Sequence, residues 1–199
     1  MIHKVKYNSQ RDNLGFGGQF PGWKQCFSTS SFMLMSFYTD RVDASDDNML
    51  ARYLDDVEVK VGGIGIGEKV FKENGFSSFW WTVQKAGIEK WLNGFGVSGH
   101  VVFRDKTIGF YDLKKLLTPG PVIVGTDKLG GLPGGHIMLV VGSTDTSLVM
   151  KDPYGDANTN YKNQNGDDVK YDFSFIMPHM IYKTPDKIRC MYFQPEGIA

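Results

Sequence analysis

The feature that most restricts how this chain can fold is a change of hydrophobic period near residue 100. Before it, apolar residues recur at three- and four-residue spacings; after it, β-branched-rich runs alternate with Gly and Asp turns. The runs PVIVGT, HIMLVVG and SLVMKD read as strands, with further strands at VKYDFS and IRCMYF and a short one at GHVVFRD. YDLKKLL is a short helix ended by the turn PGP. On the helical side, CFSTSSFMLMSFY carries Phe27, Met33, Leu34, Phe37 and Tyr38 on one buried stripe, and Ser30 and Ser31 are small enough to admit a close neighbour. DASDDNMLARYLDD is a second helix, with acidic residues in the first turn where the dipole favours them. SSFWWTVQKAGIEKWLNGFG is a third, opened by Ser77 or Ser78 and stopped by Gly94. Helices grouped ahead of strands predict an α+β domain, N-terminal helices packed on a C-terminal antiparallel sheet, and not alternating βαβ units. A chain of 199 residues, 41% hydrophobic and 14% aromatic, fills one domain over 1–199 with a sizeable core.

Charge excludes some partners. The 22 basic and 22 acidic residues cancel, so no field draws the chain to nucleic acid or to an anionic membrane. No apolar run is long enough to span a bilayer, and MIHKVKYNSQRDN lacks the apolar stretch of a secretory signal, so no membrane insertion is expected. VGGIGIGEKV imitates a phosphate loop, but Gly67 is followed by Glu68 where that pattern requires Lys, and a Gly-rich connection is the better reading. No Cys-x-x-Cys or His-Glu-x-x-His spacing occurs, so neither metal nor cofactor is expected. Cys190, inside IRCMYF, reads as a buried thiol acting as a small hydrophobe.

Cys26 is different, because it sits where a Gly-, Asn- and Gln-rich loop (residues 8–25) turns into a helix. The first backbone N–H groups of a helix are unpaired and its dipole is positive there, so a thiolate at that point is stabilised as a nucleophile. The Cys26 N–H can also face the oxyanion of a tetrahedral intermediate, and Gln10, Gln19 and Gln25 precede it as sources of a second donor. Among the four histidines, His136 is best placed as base: it opens HIMLVVG after LPGG, where Gly135 leaves its ring accessible. Asp152, 152 − 136 = 16 positions on, ends the next run in LVMKDPYGD. Two antiparallel strands joined by STDT bring residues 136 and 152 to the same end of a hairpin, where a carboxylate can orient the imidazole. His100, a rival base, has no Asp-Pro partner at hairpin spacing, and His3 and His179 read as structural or solvated. Taken singly, each of Cys26, His136 and Asp152 has an ordinary structural explanation; their order and contexts together point to catalysis.

From about Tyr7 to Gly155 the succession YNSQRDN, QCFSTSSFML, GPVIVG…GGHIMLVVG and VMKDPYGD resembles papain-superfamily cysteine peptidases related to bacteriocin leader-processing enzymes. The resemblance implies a papain-like fold, Cys26 as nucleophile, His136 as base, Asp152 as third member and Gln10 as the oxyanion-hole glutamine. The chain departs from the family pattern in two places. Phe27 stands where the family commonly has Gly, which brings an aromatic ring beside the thiol, and the spacing 26 − 10 = 16 between Gln10 and Cys26 leaves Gln19 and Gln25 open as alternative donors.

Stand-alone members of this size resemble cell-wall hydrolases of bacteriophages or of bacterial injection systems. The implied function is hydrolysis of an amide in the peptidoglycan stem peptide or cross-bridge, by a monomer made in the cytoplasm and released through a holin pore or secretion machine. Trp23, Phe27 and Gly135 would contact substrate, although Trp23 suits a core equally well. A protein-specific peptidase or deconjugating enzyme uses the same groups, and a papain-fold module that binds without cleaving is the third reading.

Overall fold

The computed structural model describes residues 1–13, 25–39, 81–82, 84–107, 109–180 and 187–197. The second expected helix, the Gly-rich connection near Gly67, Ser77, Ser78, Gln19 and Trp23 lie outside them. In chain order the described elements are α1 (Cys26–Thr39), α2 (84–94), β1 (Gly99–Thr107), α3 (Phe110–Leu116), β2 (Val122–Asp127), β3 (Gly135–Ser143), β4 (Ser147–Lys151), β5 (Val169–Asp172), α4 (Phe173–Met180) and β6 (Lys187–Pro195). The six strands form one sheet in the order β1-β6-β2-β3-β4-β5, every pair antiparallel. The protein is therefore α+β, as the change of period predicts.

Both faces of the sheet are covered. Alternation along β3 turns Leu139 and Val141 to the face on which α1 and α2 lie, with Met33, Leu34, Ile88 and Leu92. Met138 and Val140 face the other way, toward Leu113 of α3, Ile176 and Met180 of α4, and Cys190 of β6. Residues on β2, β3 and β4 are thus buried on both sides, which explains why these runs read as continuous apolar segments.

Helix α1 departs from the expected single stripe: Phe27 through Met35 are all buried. Three of its small hydroxyls find partners, while Ser31 Oγ is buried with none among the described residues. Thr29 Oγ1 accepts from Asn13 Nδ2 at 3.0 Å, Ser28 Oγ accepts from Gln84 Nε2 at 3.3 Å, and Ser30 Oγ donates to the Ile137 carbonyl at 3.3 Å. That last bond is made directly across to β3, so the small residue at 30 sets how closely helix and sheet approach.

Helix α2 ends at Gly94 as expected, and Gly96, whose φ of 76° suits a left-handed cap, closes it. Val97 N–H donates to the Leu92 carbonyl and Gly96 N–H to that of Asn93, both at 3.0 Å, which completes a Schellman motif. The expected VKYDFS strand is shorter: it ends at Asp172, and the chain turns at once into α4, which carries Pro178 within it although a proline argues against a helix.

The N-terminal segment lies along the end of the sheet next to β3 and β4. Ile2 bridges Gly142, His3 N–H donates to the Val141 carbonyl at 2.8 Å, and Gln10 N–H donates to the Pro153 carbonyl at 2.8 Å. Gly142 lies at the β3–β4 bulge, and a Cβ there would press on the backbone of Met1 and Ile2.

Candidate active site

Cys26 opens α1. The Thr29 N–H reaches back to the Gln25 carbonyl at 2.9 Å, so Gln25 is the cap and the Cys26 N–H belongs to the first turn, whose donors have no intrahelical partner. Gln25 is buried, and its Oε1 accepts from Asn13 Nδ2 at 3.0 Å, which ties the loop after Gln10 to the helix start. Cys26 is partly exposed and forms no disulfide.

His136 is the second residue of β3 and is buried. Leu139 pairs with Lys151 across the β3–β4 hairpin. One further step of that register places Asp152 opposite Met138, on the same face as His136 and diagonal to it. The two side chains meet: His136 Nε2 lies 2.7 Å from Asp152 Oδ1. The Cys26 thiol lies near enough to the ring to raise its pKa. Since Nε2 is occupied by the carboxylate, Nδ1 is the nitrogen left for sulfur.

The charge state of the ring follows from its neighbours. Burial is the largest single influence and by itself lowers the pKa of the ring, but the Asp152 carboxylate and its hydrogen bond, with the bond and charge of Cys26, outweigh it and push His136 from 6.5 up to about 10. The imidazolium is the form that the Asp152 carboxylate beside the ring favours.

Asp152 is fully buried and fully partnered. Oδ1 also accepts from the Tyr154 N–H at 3.0 Å, while Oδ2 accepts from the Tyr171 hydroxyl at 2.8 Å and the Tyr161 hydroxyl at 3.4 Å. Its backbone is held as well, its N–H donating to the Gly166 carbonyl at 2.9 Å and its carbonyl accepting from the Tyr7 hydroxyl at 3.0 Å. Arg11 braces the next shell: its guanidinium stacks 3.9 Å from the Tyr154 ring centre, and Nε donates to the Tyr154 carbonyl at 2.6 Å.

The structure brings Cys26, His136 and Asp152 together. Gln10 is buried and attached through its backbone to Pro153, beside the same turn. Gly135 is exposed at the mouth of β3, where a Cβ would meet only ordinary contact. Phe27 does not stand beside the thiol in the cleft. It is 9% exposed and its ring sits edge-on to Trp81 with centroids 4.7 Å apart, so the helical turn carries it into the core. His3 reaches the Leu117 carbonyl at 2.6 Å, His179 the Asp127 carbonyl at 2.9 Å, and His100 is exposed on β1. Cys190 is buried, and burial pushes its thiol up to about 12. Among the described residues no three His, Cys, Asp or Glu side chains converge as a metal site would require, and no helix is long and apolar enough to cross a membrane.

Sequence reasoning missed Arg11, Tyr161 and Tyr171 as neighbours of the carboxylate. The only local signal is the crowding of tyrosines after the Asp-Pro turn, and nothing in their spacing says that two hydroxyls converge on one oxygen.

The family model described as Peptidase_C39 like family matches residues 2–175. A crystal structure of a candidate C39-like peptidase from Bacillus anthracis shares the fold, with a TM-score of 0.58 and 14% identity over 98% of this chain and 98% of that one. No curated protein matches the chain.

Proposed function

The chain belongs to the Peptidase_C39 like family, and from that premise we propose that it acts as a cysteine peptidase through Cys26, His136 and Asp152. The observation that carries the proposal is one buried imidazole held at 2.7 Å by a buried carboxylate, with the thiol at the start of α1 close enough to act on the same ring. In this reading the Cys26 thiolate attacks the carbonyl carbon of an amide, and the oxyanion is met by the Cys26 N–H and the Gln10 side chain. The His136 imidazolium gives its proton to the leaving amine as the C–N bond breaks, which leaves a thioester on Cys26. Water then attacks the thioester, His136 takes its proton, and the acid product leaves with the thiolate restored. Asp152 keeps the ring oriented and stabilises its cationic form.

For substrate, the reading puts first an amide of the peptidoglycan stem peptide or cross-bridge, cleaved by a monomer at the bacterial cell wall. Its support is the resemblance of the sequence to papain-like cell-wall hydrolases. Turbidity of permeabilised Gram-negative cells is the test, with wild type compared with Cys26→Ala and Cys190→Ala. Lysis that vanishes with Cys26→Ala and survives Cys190→Ala is expected, and the released muropeptides name the bond. A wild type that leaves cell walls intact, while Cys26 alkylates rapidly at neutral pH, would replace the wall with a protein substrate. A Cys26 that also alkylates slowly would mark a binding module and sink the peptidase reading.

A further inference from the structure

Only one oxygen of Asp152 faces His136. Oδ2 is turned away and takes two tyrosine hydroxyls, Tyr171 at 2.8 Å and Tyr161 at 3.4 Å. The Tyr171 hydroxyl has one proton to give. One of its lone pairs is taken by the Ala157 N–H at 2.9 Å, and its proton has two acceptors within reach, Oδ2 and the Gly155 carbonyl at 3.3 Å. The carboxylate is both nearer and charged, so it takes the proton. Tyr171 is also carried by the rigid part of the fold: it is fully buried on β5, paired with Leu148 of β4, with its ring against Phe175. Burial first, and the Asp152 charge next, hold both hydroxyls protonated far beyond the ordinary tyrosine range, so both remain donors wherever the protein works.

We propose that Tyr171, assisted by Tyr161, is a positioning residue that fixes the plane of the Asp152 carboxylate and sets how tightly His136 holds its proton. The inference rests on the reading of Cys26, His136 and Asp152 as the catalytic set. A carboxylate that shares its charge with two hydroxyls attracts the imidazolium less than a bare one does. The imidazolium is then a stronger acid toward the leaving amine. Removing the Tyr171 hydroxyl concentrates charge on the carboxylate, and the ring retains its proton to higher pH.

The test needs no substrate. His136 is followed by NMR titration of ¹⁵N-labelled histidine in the full chain, its resonance assigned by comparison with His136→Gln. Tyr171→Phe is expected to move the midpoint upward by about half a pH unit, roughly a threefold weaker acid, and Tyr161→Phe to move it less in the same direction. Should Tyr171→Phe not fold, Tyr161→Phe reads the same displacement at lower amplitude. Titrations that overlay wild type, with only the melting temperature lowered, would overturn the proposal and reduce both tyrosines to core residues. Asp152→Asn separates the two levels, because it should drop the midpoint toward 6.5. If Asp152→Asn leaves the midpoint where it was, the His136–Asp152 pairing fails and the catalytic reading falls with it.

Discussion

The backbone of Gly166 lies directly against that of Asp152. The Asp152 N–H donates to the Gly166 carbonyl at 2.9 Å, and a Cβ on residue 166 would run into the Asp152 carbonyl oxygen. The Tyr7 hydroxyl closes the arrangement, donating to that same carbonyl at 3.0 Å and accepting from the Gly166 N–H at 3.2 Å. The loop after the Asp-Pro turn and the N-terminal segment therefore meet on the main chain of the residue whose carboxylate holds His136.

Gly166→Ala should move that main chain, since the obstacle is backbone and not a flexible side-chain tip. A loss of about 2–4 kcal/mol is expected, with slower reaction of Cys26 because the ring beside it loses its anchor. Thermal unfolding reads the first effect and iodoacetamide labelling the second; a fully stable, fully reactive variant would show that the contact is not tight.

The two thiols should behave oppositely. Cys26 is partly exposed beside an imidazolium, whereas Cys190 is buried and its thiol is pushed up to about 12. At pH 7 in the folded protein, iodoacetamide should modify Cys26 at least about tenfold faster than Cys190, as read by peptide mass mapping. Comparable rates would contradict this environment for Cys26.

The pH dependence of stability carries the charge state of His136. Burial, the largest single influence, lowers the pKa of the ring, but Asp152 and Cys26 together outweigh it, so the folded value lies near 10 and above the unfolded value of 6.5. A group raised in this way contributes its full stability below the unfolded pKa and loses it as pH climbs through the folded one. Between pH 7 and pH 10 the melting temperature of wild type should fall more steeply than that of His136→Gln. Parallel curves in calorimetry would mean that the ring is not held as a cation.

Ser30 ties α1 to β3 through its bond to the Ile137 carbonyl. Ser30→Leu should cost about 1–3 kcal/mol by overpacking and should push the helix off the strand that carries His136. Cys26 labelling should slow while Ser36→Ala, farther along the helix and bonded to the Phe32 carbonyl, leaves it unchanged. Equal labelling in both variants would argue against helix–strand distance as the determinant.

Much of the site is legible in the chain because hairpin geometry is local. Sixteen residues separate His136 from Asp152, and alternation on two antiparallel strands is enough to place them at one end. The break between helical and strand periods likewise predicts the α+β class and most strands. Pro178 hid α4, since a proline removes one i→i−4 hydrogen bond and crowds the carbonyl four residues back, yet this short helix carries one within it. The expected stripe on α1 failed for a related reason: Ser28, Thr29 and Ser30 read as polar, yet tertiary partners satisfy each hydroxyl and let the whole first half be buried.

By itself, then, the sequence determined the residue types and the local frames: a cysteine at a helix start, a histidine opening one strand, an aspartate closing the next. Only the tertiary structure decided what surrounds them. Tyr7 reaches the Asp152 backbone across 145 residues, Tyr171 reaches its carboxylate from a separate strand, and Phe27 turns into the core toward Trp81. Contacts of that kind depend on how strands are ordered in the sheet and on which helix face meets it, which no periodicity within a single element encodes.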